Sequence, residues 1–258
     1  VIQQPDTLLS LESLNVRVQA WPLLKGKVEV DEVTLSQVAV NSANLIEGMQ
    51  IKGVLGRFFL QSHGVDLSNE TAVVNRTELS DTHIQLLMTD TTTTPKDTTA
   101  SAPVNWKVNL HQLKLKNVSF GMKLPADSMK MAAYIGEATI DDAKADLKNQ
   151  FYGLKQFLLS GASASYDTGE AQPSEGFDAS HMAVRNIRIG LDSLLYEGRN
   201  MNAVIREITM EERSGLSITS LTGRLFSNDS IIRIPELKLQ TPHSEIDLSA
   251  QTYWELVN

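Results

Sequence analysis

The 258-residue chain contains no cysteine. This absence excludes disulfide bridges, thiolate nucleophiles and cysteine-ligated metal sites, and it leaves the cellular compartment open. Long apolar segments are missing as well, because no run of 18 or more apolar residues occurs anywhere in the sequence. No segment of this sequence is therefore expected to span a membrane as a helix.

Basic charge is scarce and dispersed. The chain carries 23 Lys and Arg against 31 Asp and Glu, which gives a formal net charge of −8. Lys114 and Lys116 alternate with leucines, a pattern that indicates the solvent face of a strand. Because proteins that bind nucleic acid neutralise phosphates with clustered Lys and Arg, the sequence predicts no nucleic-acid partner.

Residue patterns typical of catalysis or metal binding are also missing. The five histidines show neither HxH nor HExxH spacing, and no GxSxG, P-loop or GxGxxG motif occurs. Acidic pairs such as Asp31–Glu32 are adjacent in sequence, whereas paired catalytic carboxylates converge from separate elements. The sequence therefore predicts a protein that is not an enzyme and uses no metal or cofactor.

The most informative feature that is present is an apolar rhythm. In residues 27–43, KVEVDEVTLSQVAVNSA, apolar side chains follow one another at intervals of two, three, two, three and two residues. This spacing fits neither the alternation of a simple strand nor the period of a helix.

The rhythm recurs along the chain. Its full copies are Val28, Val30, Val33, Leu35, Val38 and Val40, then Val108, Leu110, Leu113, Leu115, Val118 and Phe120, then Ala133, Ile135, Ala138, Ile140, Ala143 and Ala145. Shorter copies are Met182, Val184, Ile187 and Ile189, and Ile232, Ile234, Leu237 and Leu239. At each interval of three, two non-apolar positions separate successive apolar residues. We call these two positions a two-residue step, and every copy contains at least one.

We interpret each two-residue step as a β-bulge that returns the next apolar residue to the same face and bends the strand. Repeated in neighbouring strands, such bends would curl the sheet into a trough. We therefore predict an all-β, mainly antiparallel fold: a curled, bulged sheet of the β-taco type with an apolar inner face and few short helices. A β-solenoid with five-residue coils and a bulged β-sandwich are the alternatives.

Two regions are ambiguous in their pattern. Residues 138–160 are rich in Ala and Lys and are compatible with a helix, but the rhythm favours strand there. Residues 89–103, TDTTTTPKDTTASAP, hold no large apolar side chain, which is typical of a linker or long loop. We predict one elongated domain of repeats over residues 1–258, with a possible sub-boundary at residues 89–103.

Two stretches carry a resemblance to a known family. Residues 8–40, LLSLESLNVRVQAWPLLKGKVEVDEVTLSQVAV, resemble the opening of AsmA-like proteins. Residues 215–251 are similar to a stretch of TamB proteins, the translocation and assembly modules of that superfamily. The match rests on Leu221, Gly223, Leu237, Leu239, Thr241, Ser244 and Ile246. Together the two stretches cover about a quarter of the chain, and residues 89–103 match no motif of the family.

The resemblance implies a periplasmic protein that is anchored in the inner membrane of a Gram-negative envelope. Members of this family have a long sheet curled like a taco shell and are implicated in phospholipid transport to the outer membrane and in outer-membrane protein assembly. The chain begins at Val1, so we expect it to be an N-terminal portion from which the anchor has been removed. The implied partners are phospholipid acyl chains, the inner membrane and, as a further candidate, the outer-membrane assembly machinery.

The predicted site is a lipid-groove lining rather than a reactive centre. Its residues are Val28, Val30, Val33, Leu35, Val38, Val40, Val108, Leu110, Leu113, Leu115, Val118, Phe120, Ile135, Ile140, Ile187, Ile189, Ile232, Ile234, Leu237 and Leu239. The competing hypotheses are a structural or adhesive β-repeat module without a ligand, and an enzyme on a β-solenoid scaffold.

Overall fold

The structure is a computed structural model that describes residues 2–3, 6–19, 30–42, 48–66, 69–88, 105–169 and 172–256. Val28 of the predicted groove lining and the threonine-rich residues 89–103 lie outside these ranges. Two 3₁₀ turns are present, at Pro125–Asp127 and Trp254–Leu256. The described part of the chain contains no α-helix, and hence no helix that could cross a membrane.

Fifteen β-strands account for nearly all of the regular structure in the described ranges. They are β1 (Ile2–Gln3), β2 (Asp6–Thr7), β3 (Leu9–Val18), β4 (Val30–Asn41), β5 (Met49–Asp66), β6 (Thr71–Met88), β7 (Lys107–Leu124), β8 (Met129–Asp146), β9 (Phe151–Leu154), β10 (Gln156–Asp167), β11 (His181–Glu197), β12 (Asn200–Glu212), β13 (Ser217–Ser227), β14 (Ile231–Gln240) and β15 (Glu245–Tyr253). Residues 138–160 are strand and turn, as predicted.

The strands form one large sheet. β1 and β2 pair only with each other, and the remaining 13 strands lie in the order of the chain from β3 to β15. β9 and β10 together fill the place of one strand between β8 and β11. Each of them pairs with β8 on one side and with β11 on the other. Neighbouring strands are antiparallel, with the exception of one pair.

That exception is β6 and β7, which run parallel. Thr71 lies beside Lys107 and Leu87 beside Lys123, so both strands start at the same end of the sheet. The backbone N–H of Asn105 donates to the Glu70 carboxylate at 3.0 Å. The sheet is thus continuous from β6 to β7.

Left-handed residues occur at four of the eight two-residue steps of the rhythm. Gln37, Asn117, Asp142 and Asn186 are each the second residue of a step, and each has a φ between 49° and 53°. Asp81 adopts the same conformation in β6. Because a side chain normally disfavours this region, these positions are fixed corners at which the strands turn.

The corners line up across adjacent strands. The corner residue Gln37 of β4 lies opposite Gly56 of β5, which in turn lies opposite Asp81 of β6. A Cβ added at Gly56 would lie 2.7 Å from the backbone oxygen of Asp81, so glycine is what lets the two strands approach at this line. The corners of these neighbouring strands therefore lie on one line across the sheet.

No second layer covers the sheet within the described part of the chain. Among these residues, the buried apolar positions are Ala72, Ala138 and Ala162 alone, and no second sheet packs on the large one. The prediction of a curled, mainly antiparallel all-β sheet is confirmed. The sandwich alternative is wrong because it requires two packed sheets, and the solenoid alternative is wrong because its coils would pair in parallel.

Candidate functional site

Two unbroken rows of side chains cross the sheet from β3 to β15. The first, which we call the Leu115 row, consists of Leu14, Leu35, Phe58, Leu79, Leu115, Ala138, Leu159, Ile189, Ile208, Leu221, Leu239 and Ile246. Each member is the direct partner of the next, and all twelve are apolar. Side chains directly opposite each other project from the same face of a sheet, so the row is one continuous apolar stripe.

The second row lies two residues away along each of β4 to β10. This Leu113 row consists of Val16, Val33, Leu60, Thr77, Leu113, Ile140, Phe157, Leu191, Ile205, Gly223, Leu237 and Leu248. Residues two apart on a strand share a face, so both rows lie on what we call the inner face. Thr77 and Gly223 are the only members without an apolar side chain, and neither is charged.

The inner face is only partly shielded from water. Within the Leu115 row only Ala138 is buried, whereas Leu14 at one edge is 53% exposed and Ile246 at the other is 51% exposed. Most of the remaining members are half-buried, because they contact neighbours in the row but no overlying element of the described chain. A partly exposed apolar surface that is continuous over twelve strands is a candidate binding surface.

The structure brings part of the predicted lining together in these rows. Val33, Leu35, Leu113, Leu115, Ile140, Ile189, Leu237 and Leu239 belong to them. The other described predictions lie in shorter flanking rows: Val30, Val38, Val40, Val108, Leu110, Val118, Phe120, Ile135, Ile187, Ile232 and Ile234. Whether any of them contacts a lipid stays a prediction.

The predicted lining did not include sixteen members of the two rows. They are Leu14, Val16, Phe58, Leu60, Thr77, Leu79, Ala138, Phe157, Leu159, Leu191, Ile205, Ile208, Leu221, Gly223, Ile246 and Leu248. Most lie in strands where the five-residue rhythm is incomplete. Plain alternation, as in Leu14 and Val16, is the signal that would have found them.

A groove of about 1050 Å³ lies at one end of the sheet. It is lined by residues of β5 to β8 and β10 to β12, and we call it the end groove. Its apolar lining includes Leu86, Phe120, Met122, Met131, Ala164 and Val184. Phe120 is 40% exposed and Met131 is 38% exposed, but strand alternation places both on the opposite face of the sheet from Lys123 and Lys130, which also line the groove.

The described titratable side chains with shifted pKa values are not members of the two rows. Asp142 accepts a hydrogen bond from the His111 ring at 3.2 Å and lies 3.7 Å from the Lys155 ammonium, and both contacts lower its pKa. Asp178 accepts hydrogen bonds from Ser174 and from His181, which hold its pKa well below the usual range. These contacts stabilise a strand corner and a loop.

No reactive constellation emerges from the described residues. No group of three His, Asp or Glu side chains within this part of the chain is arranged to hold a metal ion. Buried Glu212 is tied down by Ser214, whose backbone N–H donates to its carboxylate at 2.6 Å, and Ser214 lowers its pKa. What the geometry offers is apolar surface.

Comparison with known proteins does not add a relative. No protein-family model matches the chain, and no curated protein matches it in sequence.

Proposed function

We propose that this protein is a non-catalytic lipid-groove protein that holds phospholipid acyl chains against its inner face. The observation that carries the proposal is the continuity of the Leu115 row, which contains no polar residue across twelve strands. An acyl chain lying along this row would meet apolar side chains at every strand.

Burial of the acyl chains of a lipid supplies enough free energy for binding. Each methylene moved from water into an apolar environment gains about 0.8 kcal/mol. A two-tailed lipid therefore needs only part of its length in contact with the half-exposed inner face. The absence of charge from both rows also suits sliding, because a charged group within them would impose a desolvation cost on every passing chain.

The cellular setting follows from the family resemblance. We propose a periplasmic location with attachment to the inner membrane in the full-length protein, and a role in phospholipid transport to the outer membrane or in protein assembly there. The competing hypothesis, a structural or adhesive β-repeat module, would use the same sheet without any ligand.

Lipid extraction separates these hypotheses. The purified chain is extracted with organic solvent and analysed by lipid mass spectrometry, and binding of a fluorescent fatty acid is titrated in parallel. We expect co-purified phospholipid and saturable binding. Recovery of no lipid together with no fatty-acid binding would favour the ligand-free module.

A variant pair tests the inner face itself. Leu115→Asp places a charge within the Leu115 row, whereas Lys114→Asp places the same side chain on the opposite face one residue away. We expect Leu115→Asp to weaken fatty-acid binding about tenfold or more and Lys114→Asp to leave it unchanged. Leu115→Asn serves as a milder replacement if circular dichroism shows that the aspartate variant does not fold. Equal affinities of the Leu115 and Lys114 variants would contradict the proposal.

A further inference from the structure

The end groove opens on the face of the sheet opposite the two apolar rows, which we call the opposite face. Side chains alternate between the two faces along a strand, so the lining residues identify the face. β5 contributes Gln50 and Lys52 to the lining but not Ile51, which lies between them. The lining stretches of β7 and β8, residues 119–123 and 130–134, both begin and end with a residue of the opposite face. A ligand in the groove therefore contacts a different surface from a lipid on the rows.

Three lysines of the lining carry positive charge that the described part of the protein does not neutralise. Lys52, Lys123 and Lys130 form no ion pair or hydrogen bond with the described residues. Asp167 is the strand partner of Lys130, yet the two charged groups do not approach within ion-pair distance. Because the whole chain has a formal net charge of −8, the end groove is a local exception to its charge.

Two of these lysines repel each other. Lys123 and Lys130 are direct cross-strand partners in β7 and β8. Like charges placed directly opposite each other destabilise a sheet. An anion bound between the two ammonium groups would remove this repulsion.

The other charged side chains of the lining already have partners. Arg185 lies 3.0 Å from Glu211, and Arg213 lies 4.0 Å from Asp178. The buried carboxylate of Glu212 accepts backbone hydrogen bonds at 2.6 Å and 3.4 Å. The lysines are thus the cationic groups of the lining that remain open to a ligand.

Unused hydrogen-bonding groups line the same groove. The side chains of Gln50, Gln85, Ser163 and Ser165 have no partner among the described residues. A glutamine amide and a serine hydroxyl can each both donate and accept a hydrogen bond. The ring of Tyr134, which is 40% exposed, adds a flat apolar surface. This mixture suits a ligand that carries many hydroxyl groups as well as negative charge.

The backbone of the groove is not available for recognition. β7, β8 and β10 each pair with a neighbouring strand on both sides, so their N–H and C=O groups are used within the sheet. A peptide that binds by adding a strand needs a free sheet edge. A ligand here has to be recognised by side chains, which favours a saccharide over a peptide.

We propose that the end groove binds an anionic saccharide, with a phosphate group between Lys123 and Lys130 and the sugar hydroxyls on the glutamine and serine side chains. An ammonium group binds phosphate through charge-assisted hydrogen bonds, which are stronger than neutral ones. Lys52 lies two strands away from Lys123 and can contact another part of the same ligand. The volume of about 1050 Å³ is at the upper end of the range for small-ligand clefts, so an oligosaccharide fits the groove better than a single sugar. This site is independent of the proposed lipid-groove function, because it uses the opposite face.

A glycan array provides the first test. It carries hexose and aminohexose oligosaccharides, each with and without a phosphate monoester. The phosphorylated glycan that gives the strongest signal is then titrated calorimetrically, beside its unphosphorylated form and inorganic phosphate. We expect the phosphorylated glycan to bind most tightly, the unphosphorylated form about tenfold more weakly and inorganic phosphate very weakly.

The test variant is Lys123→Gln/Lys130→Gln, and the matched control is Lys114→Gln/Lys116→Gln, which neutralises two lysines of β7 outside the end groove. We expect the test variant to bind the phosphorylated glycan about tenfold more weakly and the unphosphorylated form as the wild type does. The control should bind both as the wild type does. Added salt should weaken binding of the phosphorylated glycan by the wild type more than by the test variant.

A second variant, Tyr134→Ala, tests the contact with the sugar rather than with the phosphate. We expect it to weaken binding of both forms of the glycan by a similar factor. Urea denaturation verifies that each variant is folded. An effect of Tyr134→Ala on neither form would contradict a saccharide in this groove.

Vesicles distinguish the two sources of such a saccharide. Phosphatidylcholine vesicles that display the same phosphorylated sugar on a glycolipid are sedimented with the protein. Binding to the soluble glycan alone would assign a free saccharide, whereas tighter binding to the vesicles would assign a glycolipid headgroup. Either result supports the site.

The remaining outcomes would overturn the proposal. Unchanged affinity of the test variant for the phosphorylated glycan would overturn the lysine site. Equal affinity for inorganic phosphate or for an oligoglutamate peptide would overturn the saccharide assignment, and no binding of any phosphorylated glycan would overturn the proposal as a whole. Fatty-acid binding by the inner face should be the same in the test variant and the wild type, so these failures leave the proposed lipid-groove function standing.

Discussion

The two halves of the large sheet keep the same apolar rows by different means. From β4 to β10, the corners of neighbouring strands face each other, and of the five strand pairs only β5–β6 changes register, near Ser62. From β10 to β15, every pair contains at least one shift. Both halves nevertheless carry the Leu115 row without interruption.

Both halves keep the inner face continuous, but only one of them does so by matching extra residues in neighbouring strands. In the first half, an extra residue in one strand lies opposite an extra residue in the next, as His111 lies opposite Asp142. In the second half, the steps at Arg185–Asn186 and Pro235–Glu236 are true bulges, at which the register changes. The shared outcome is continuity of the inner face, which both arrangements preserve.

The largest expected effect concerns the close approach between aligned corners. Gly56→Ala would place a Cβ 2.7 Å from the Asp81 backbone oxygen and 2.8 Å from its Cβ. We expect a loss of about 2 kcal/mol in the free energy of unfolding, measured by urea denaturation. Gly121→Ala is the matched control, since the nearest atom to its added Cβ would be 3.8 Å away.

The same substitution in the second half sharpens the comparison. At Gly223 the added Cβ would meet the Glu236 oxygen and the Leu237 Cδ1, both at 2.8 Å. Because the leucine methyl can rotate away, only the Glu236 backbone oxygen remains as a contact under 3.0 Å, and we expect Gly223→Ala to be less destabilising than Gly56→Ala. A larger decrease in the free energy of unfolding for Gly223→Ala than for Gly56→Ala would show that the strands from β10 to β15 accommodate an added methyl group less readily than those from β4 to β10.

A smaller effect is expected at the left-handed corners. Gln37 has a φ of 50°, and its exposed side chain has no hydrogen-bond partner among the described residues. Gln37→Gly should therefore raise the unfolding free energy by about 1 kcal/mol, and Gln37→Val should lower it by about as much. Asn186→Gly should gain less, because Asn186 also donates to Glu211 at 3.1 Å.

Acid should destabilise the protein through carboxylates with lowered pKa values. For Asp178, contacts with Ser174 and His181 lower the pKa in the folded state, so the stabilisation is complete above the ordinary pKa near 4 and is lost as pH falls further. We expect the urea concentration at the unfolding midpoint to decrease as the pH is lowered from about 5 to about 3. The decrease should be smaller in Asp178→Asn.

Asp127→Asn is the control for this pH series. The Asp127 carboxylate is exposed and forms no hydrogen bond or ion pair with the described residues, so this variant should follow the wild type. Identical pH curves for all three proteins would show that Asp178 does not set the acid sensitivity.

The smallest effect is expected at the edge of the sheet. Arg17 on β3 lies 3.4 Å from Glu32 on β4, but its side chain is 70% exposed. Arg17→Ala should change the unfolding free energy by less than about 0.5 kcal/mol, and a loss above about 1 kcal/mol would indicate that the edge depends on this ion pair.

The all-β fold could be predicted from the sequence because the rhythm fits neither a helix nor a simple strand, and half of its steps coincide with corners of the strands. Gln37, Asn117, Asp142 and Asn186 fall on predicted steps, and the structure places a left-handed residue at each. The parallel pairing of β6 with β7 could not be predicted, since the direction of a neighbouring strand leaves no mark on its own alternation.

The candidate site was less accessible to sequence reasoning than the fold. Leu14 and Ile246 belong to one row only because eleven successive strand pairings connect them. Such long-range register is set by all of the intervening strands together.

The central claim is that the inner face takes up acyl chains, and single-cysteine labelling tests it most directly. The chain has no native cysteine, so Leu113→Cys on the inner face and Lys114→Cys on the opposite face can each carry one polarity-sensitive fluorophore. On addition of monomeric short-chain phospholipid, we expect a blue shift and reduced quenching by iodide at position 113 and no change at position 114. Equal responses at the two positions, or no response at position 113, would contradict the account.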